Sequence, residues 1–282
     1  MVRIGLDQVV AVVNDIPALP QIMIRVMKLT EDPDSTVQDI NNVITQDQAL
    51  TARVLRLANS AYYGFPRRIN TVTEATVLLG FQTIRSIVLA ASVNDLLSKE
   101  VSGYALAPGE LWRHSQATAI TARYLARVLK MKNADQVYTA GLLHDIGKVV
   151  LNHYLEENYH EVTDKVETEK ISFLQAESEV LAFDHAMVGA KVADKWNLPP
   201  ELVEAIAFHH APEKAELNPL LTAVVHVADA MVMMMGIGLG VDGLAYPLSQ
   251  PALDRLGLSP ADIERMIAGL TDILADENSF LL

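Results

Sequence analysis

There is no cysteine in the 282 residues, which excludes a disulfide framework and any thiolate-ligated metal site. A reducing compartment fits that absence. The opening MVRIGLDQVV lacks the apolar stretch of a secretory leader, because Asp7 interrupts it early. Long hydrophobic runs are missing too. The longest, Ala230 to Val241, has 12 residues and contains Gly236, Gly238 and Gly240. A membrane span needs about 20, so a buried position in protein is expected, with a cytoplasmic location as the default. Basic residues are in deficit, 22 against 35 acidic ones, for a net charge of −13. That balance argues against nucleic acid as a partner, since such affinity comes mainly from Lys and Arg on phosphates. A local basic patch stays open, and a phosphorylated ligand would need local cations against the overall field.

Half the residues are hydrophobic and a fifth charged, the profile of a compact globular chain. Nearly every segment reads at helical period, and few alternate as strands do. Helices are expected at Leu6–Val13, Ile22–Leu29 and Gln82–Leu97, then at Glu110–Val128 and Ala134–Tyr154. Others are expected around 172–195, at Pro200–His210 and Leu220–Met235, and from Pro260 to about Leu274. Thr36 with Asp39, and Thr71 with Glu74, have capping-box spacing. The fold class is therefore all-α. Residues 98–109, SKEVSGYALAPG, are the best boundary candidate: no histidine precedes them and all eight follow. The expected organisation is 1–97, 98–235 and a C-terminal helical extension, 236–282, within one integrated module.

The polar exceptions on apolar helices form a set. In GLLHDIGKVV, residues 141–150, His144, Asp145 and Lys148 interrupt a greasy run. Ionisable groups in a core must be paired or metal-bound. Glu110 and His114 are four apart and share a helix face. His185, the pair His209–His210, and Asp229 in TAVVHVADAMVMM complete the set. Imidazole and carboxylate suit iron, manganese, zinc or nickel. Adjacent helical residues diverge by about 100°, so His144 and Asp145 can flank one ion or reach towards two. A bridging Asp145 carboxylate favours two neighbouring ions. The plainer readings are a core histidine bonded to a carbonyl and, for Glu110, a solvated first-turn carboxylate. His153, His160 and His226 are left to them, although His226 shares a face with Asp229.

The pattern His114, His144–Asp145, Asp229 resembles the HD superfamily of metal-dependent phosphohydrolases, an all-helical fold. His185 and His209–His210 resemble its HD-GYP branch, which hydrolyses cyclic di-GMP at a two- or three-metal centre. By that resemblance Glu110 matches an additional metal ligand and Lys148 a contact to substrate phosphate, with Asp145 and Lys148 the catalytic candidates. The segment after His209–His210 reads APEKAELNP, without the branch's glycine-tyrosine-proline loop. LPALPQIMIRVMKL, ITQDQALTARVLRLANSAYYG, INTVTEATVLLGFQTIRSIVLA and WNLPPELVEAIAFHHAP resemble the HDOD family, over roughly residues 10–235. That resemblance implies a helical HDOD subdomain ahead of the HD-type domain, and a signalling output module acting through a protein partner. HDOD domains commonly lack parts of the metal site, whereas this chain keeps every ligand position.

Two functions follow: an output module holding about two first-row metal ions, iron or manganese favoured, or a phosphohydrolase acting on a phosphodiester such as a cyclic dinucleotide. A helix-turn-helix over 71–97 fails on charge, because Arg85 is the only basic residue between Val72 and Leu97. Arg67 and Arg68 are candidates for a partner protein or an anionic ligand, against the plainer reading of a solvated loop.

Overall fold

Side-chain caps and prolines set where the helices begin. The computed structural model describes residues 18–60, 63–241 and 248–277, the last three by backbone alone, so the helix expected at Leu6–Val13 lies outside the described residues. Helices α1 (Gln21–Glu31), α2 (Val37–Ile44), α3 (Gln48–Ala58), α4 (Val72–Leu79) and α5 (Phe81–Leu97) come first. Then follow α6 (Glu110–Val128), α7 (Ala134–Leu143), α8 (Ile146–Glu169), α9 (Phe173–Leu181) and α10 (His185–Lys195). Last come α11 (Pro200–Ala207), α12 (Pro219–Met234), α13 (Gln250–Leu256) and α14 (Pro260–Glu277). The described residues contain no strand, only an isolated bridge between Val101 and Leu106. The fold is all-α.

Thr36 and Asp39 close both halves of the capping box that opens α2. At α4 only one half forms. The Glu74 N–H donates to Thr71 Oγ1 at 3.1 Å, but the Glu74 carboxylate accepts from Asn70 at 3.1 Å, not from Thr71. The helix expected over Ala134–Tyr154 is two helices, broken at His144–Asp145. The one expected over Pro200–His210 ends at Ala207, leaving His209 and His210 beyond it.

The chain divides into two compact units, 18–95 with the residues from 268, and 96–267. In the first, α2 packs on α1 and α4, and α4 on α3, around Met23, Val26, Ile40, Ile44, Val54 and Ala75. Burying each large aliphatic side chain contributes about 1.5–3 kcal/mol. In the second, α6 and α12 are the central helices, each packed against the other and against α7. From Leu221 to Met233 every residue of α12 is buried, as expected of a helix apolar on all sides. Helix α6 is buried almost as fully, so its polar side chains need partners. Arg123 therefore pairs with Asp135 at 3.0 Å and lies 3.9 Å above the Tyr138 ring, while the Tyr138 hydroxyl donates to Gln116 at 2.9 Å. Around them α8 packs on α9 and α10, and α11 on α7, α10 and α12.

Gly147 permits one close approach in this unit: a Cβ there would stand 1.9 Å from the carbonyl oxygen of His185. The glycine-rich end of the long apolar run has a similar reason. After α12, Gly238 at φ +65° passes so near α6 that a Cβ would meet the Cβ of His114 at 2.5 Å.

Candidate metal centre

Three breaks in helical structure and two buried helices deliver the ionisable residues to one place. His114 comes from the first turns of α6 and Asp229 from the middle of α12. His144 and Asp145 occupy the α7–α8 break, His185 is the first residue of α10, and His209 and His210 follow the end of α11. His114, His144, Asp145, His185, His209 and Asp229 are each at most 2% exposed, while His210 is half-buried.

Four of the five imidazoles are oriented through Nδ1. In His114 that nitrogen faces the Ile237 carbonyl at 3.1 Å, in His144 the Gly141 carbonyl at 2.8 Å, and in His209 the Ile206 carbonyl at 2.8 Å. In His185 it faces a Glu177 carboxylate oxygen at 2.9 Å. A carbonyl or carboxylate only accepts, so Nδ1 carries the proton in all four rings, and a neutral ring then presents a lone pair at Nε2.

Those lone pairs converge. Nε2 of His114 lies 3.3 Å from Nε2 of His144, and Nε2 of His185 lies 2.8 Å from Nε2 of His210. Asp229 Oδ1 is 3.0 Å from His114 Nε2 and 3.5 Å from His144 Nε2. Asp145 stands between: Oδ2 is 3.3 Å from His144 Nε2 and 3.5 Å from His114 Nε2, while Oδ1 is 3.4 Å from His185 Nε2 and 3.7 Å from His209 Nε2. Asp145 Oδ1 and Asp229 Oδ1 are buried and make no properly aligned hydrogen bond. Acceptors facing acceptors in a dry interior need a cation between them.

Charge leads to the same requirement. Three buried carboxylates, Asp145, Asp229 and Glu177, face one buried ammonium, Lys148, whose Nζ is 2.6 Å from Asp145 Oδ2. The difference, three less one, leaves two negative charges to be met by protons or by metal. Burial alone would push His144 down, but Asp145 and Asp229 push it up to about 10. Burial likewise opposes the rise at His185, which Glu177 drives. His209 is pushed down to about 3, by burial first and then by His144. Burial raises Asp145 and Asp229, yet His144 and the other neighbouring cationic groups hold both well below the usual carboxylate range.

The donor atoms form three overlapping sets, His114–His144–Asp229, His144–Asp145–His209 and His185–His209–His210, each within 4.8 Å. Seven of the eight candidate ligands fall in these sets. Glu110 does not: its Oε2 accepts from the Ala107 N–H at 2.9 Å, serving the chain that enters α6. Nitrogen and oxygen donors without sulfur fit a first-row divalent ion such as iron, manganese, zinc or nickel.

Glu177 is the participant that the motif pattern does not contain. Its second oxygen accepts from the Tyr104 hydroxyl, so the carboxylate orients His185 from a position fixed in turn by Tyr104. The trace in the sequence is its spacing: Phe173, Ala176, Glu177 and Leu181 make the buried stripe of α9, with an acid inside it. His226 also has a defined task. Its Nδ1 donates to the His209 carbonyl at 2.7 Å, and its Nε2 accepts from the Ser249 N–H at 2.9 Å. His153 is solvent-exposed beside Glu157.

Fold and centre together define an all-helical protein with a buried histidine–carboxylate cluster of metal-binding character. The sequence profile of the HDOD domain matches residues 16–212, and the chain belongs to the HDOD family. A crystal structure of an HDOD domain protein of unknown function from Geobacter sulfurreducens superposes with a TM-score of 0.78 at 28% identity, covering 99% of both chains. A protein from Shewanella amazonensis SB2B, named as a candidate phosphohydrolase, superposes at 0.76 with 26% identity over 97% of this chain and 98% of its own. An uncharacterised Treponema pallidum protein is 29% identical over 75% of this chain, which spans 41% of that relative. Ribonuclease Y of Geobacter sulfurreducens is 32% identical over 43% of this chain, corresponding to 18% of the enzyme. No helix among the described residues is long and apolar enough to cross a membrane.

Proposed function

We propose that the chain is a metal-bearing HDOD output module, working through a protein partner and not through turnover. The observation that carries the metal is the convergence of buried imidazole nitrogens and carboxylate oxygens into three overlapping donor sets, each within 4.8 Å. His114, His144 and Asp229 would hold one ion and His185, His209 and His210 a second, with Asp145 offering an oxygen to each. About two ions are expected, iron or manganese favoured.

Two features favour output over hydrolysis. A catalytic metal keeps a coordination position open to substrate, whereas all donors except His210 are sealed from solvent. Lys148, the residue for a phosphate contact, is buried against Asp145. The second reading, a phosphohydrolase, draws support from the completeness of the donor set and from the likeness to ribonuclease Y and the Shewanella protein. In that reading the ions would supply Lewis-acid activation of a phosphodiester, and Lys148 would offset phosphoryl charge.

The test is hydrolysis by metal-loaded full chain of bis(p-nitrophenyl) phosphate and cyclic di-GMP. The output reading expects no turnover above free metal. Turnover that the Lys148→Ala variant lowers by about 10²–10³, at unchanged metal content, would replace it with the enzyme reading.

A further inference from the structure

Within the unit that holds α1–α4 there is a cleft of about 800 Å³, walled by the end of α3 and the loop after it. Arg56, Arg67 and Arg68 line it, together with Leu55, Asn59 and Phe65. Three guanidinium groups on one cleft stand out in a chain of net charge −13. Arg67 has an exposed pairing with Glu74 at 3.2 Å. Arg56 and Arg68 make no ion pair among the described residues and are exposed.

Arginines in a solvated loop would also be exposed, but here the walls that carry them are held in place. Asn59 Oδ1 accepts from the Ile69 N–H at 2.7 Å, and its Nδ2 donates to the carbonyls of Ile69 and Leu55 at 2.8 and 2.7 Å. Ile69 is buried, so the chain beside Arg68 is tied to the end of α3 that carries Arg56. Fixed walls lower the ordering cost of binding. The volume lies in the small-molecule range of about 300–1,000 Å³.

We infer that this cleft is a ligand site separate from the metal cluster, and that it takes a phosphate-bearing small molecule of the nucleotide class. Arg56 and Arg68 meet phosphate oxygens through their planar forks, which suit that geometry better than an ammonium would. Phe65 and Leu55 offer the apolar surface on which a planar base rests. A phosphate alone would leave most of the cleft unused, and an acidic peptide would not need its depth.

The experiment is calorimetric titration of the full chain, metal retained, with ATP, GTP, cyclic di-GMP, tripolyphosphate and polyglutamate. At least one nucleotide should bind, more weakly as salt rises. An Arg56→Ala/Arg68→Ala variant should bind it at least about tenfold more weakly, with unchanged metal content and melting temperature, and the double lysine variant should recover only part of the loss. The inference is overturned if no nucleotide binds at millimolar concentration, or if wild type and double-alanine variant bind alike. It is equally overturned if tripolyphosphate binds as tightly as the nucleotides, or if only polyglutamate binds in an arginine-dependent way, which would point to an acidic protein.

Discussion

Glu177 shows how much one buried carboxylate can decide. It fixes the His185 ring through Nδ1 and leaves Nε2 directed at His210 and Asp145. Carboxylates behind metal-ligating histidines typically contribute 10–100-fold in metal affinity. Glu177→Gln is therefore expected to weaken binding of one ion by about that factor while the fold persists, as read by chelator competition and circular dichroism. Unchanged affinity would mean that Glu177 serves packing alone. Asp145→Ala should remove more metal than His210→Ala, because Asp145 presents an oxygen to each histidine group while His210 meets one. Equal losses in side-by-side elemental analysis would remove the bridging role. Most of the cluster was legible because an acid or imidazole inside a greasy helix is costly, and that cost leaves a mark at His144, Asp145 and Asp229. Glu110 shows the limit: its spacing from His114 is right, yet the backbone amide of Ala107 takes its carboxylate.

Element boundaries were less legible, and for a physical reason. Residues 134–154 keep helical periodicity across the break at His144–Asp145, since both flanks are buried and no Gly or Pro sits at the break itself. The break follows from packing, which brings Gly147 of α8 against the start of α10. Gly147→Ala should force those helices apart, costing about 1–3 kcal/mol as overpacking does. It should also lower metal content by displacing His185. Full stability and full occupancy would show that the contact yields. A second element-scale device is Glu204, only 8% exposed, whose oxygens accept from the N–H groups of Glu216, Leu217 and Asn218 at 2.7–2.8 Å ahead of α12. Burial alone would raise its pKa, but the three amides hold it below its ordinary 4.5. Its folded pKa is lowered, so the contribution is full above pH 4.5 and is lost as pH falls through the folded value. Glu204→Gln is expected to cost about 1–3 kcal/mol near neutral pH, with the gap to wild type narrowing in acid. Chemical denaturation across pH 3–7 checks this, and a constant gap would contradict it.

At the scale of the whole molecule, the family, the all-α class and the placement of every histidine after residue 109 could be read from composition and motif. How the chain divides was less apparent. Residues after 235 look like an extension, yet Ile237 supplies the carbonyl that orients His114, and Ser249 the amide that orients His226. A cluster of mutually facing acceptors should make the stability of residues 96–267 depend on metal. A ligand at a thousandfold its Kd stabilises by about 4 kcal/mol, so chelation should lower the melting temperature and readdition should restore it. The most direct measurement is the metal content, by mass spectrometry, of chain purified without a metal-affinity tag and never exposed to chelator. The account predicts about two first-row ions per chain, falling sharply in Asp145→Ala. Less than half an ion per chain would contradict it, and would mean that protons on His144 and His185 fill the charge deficit instead.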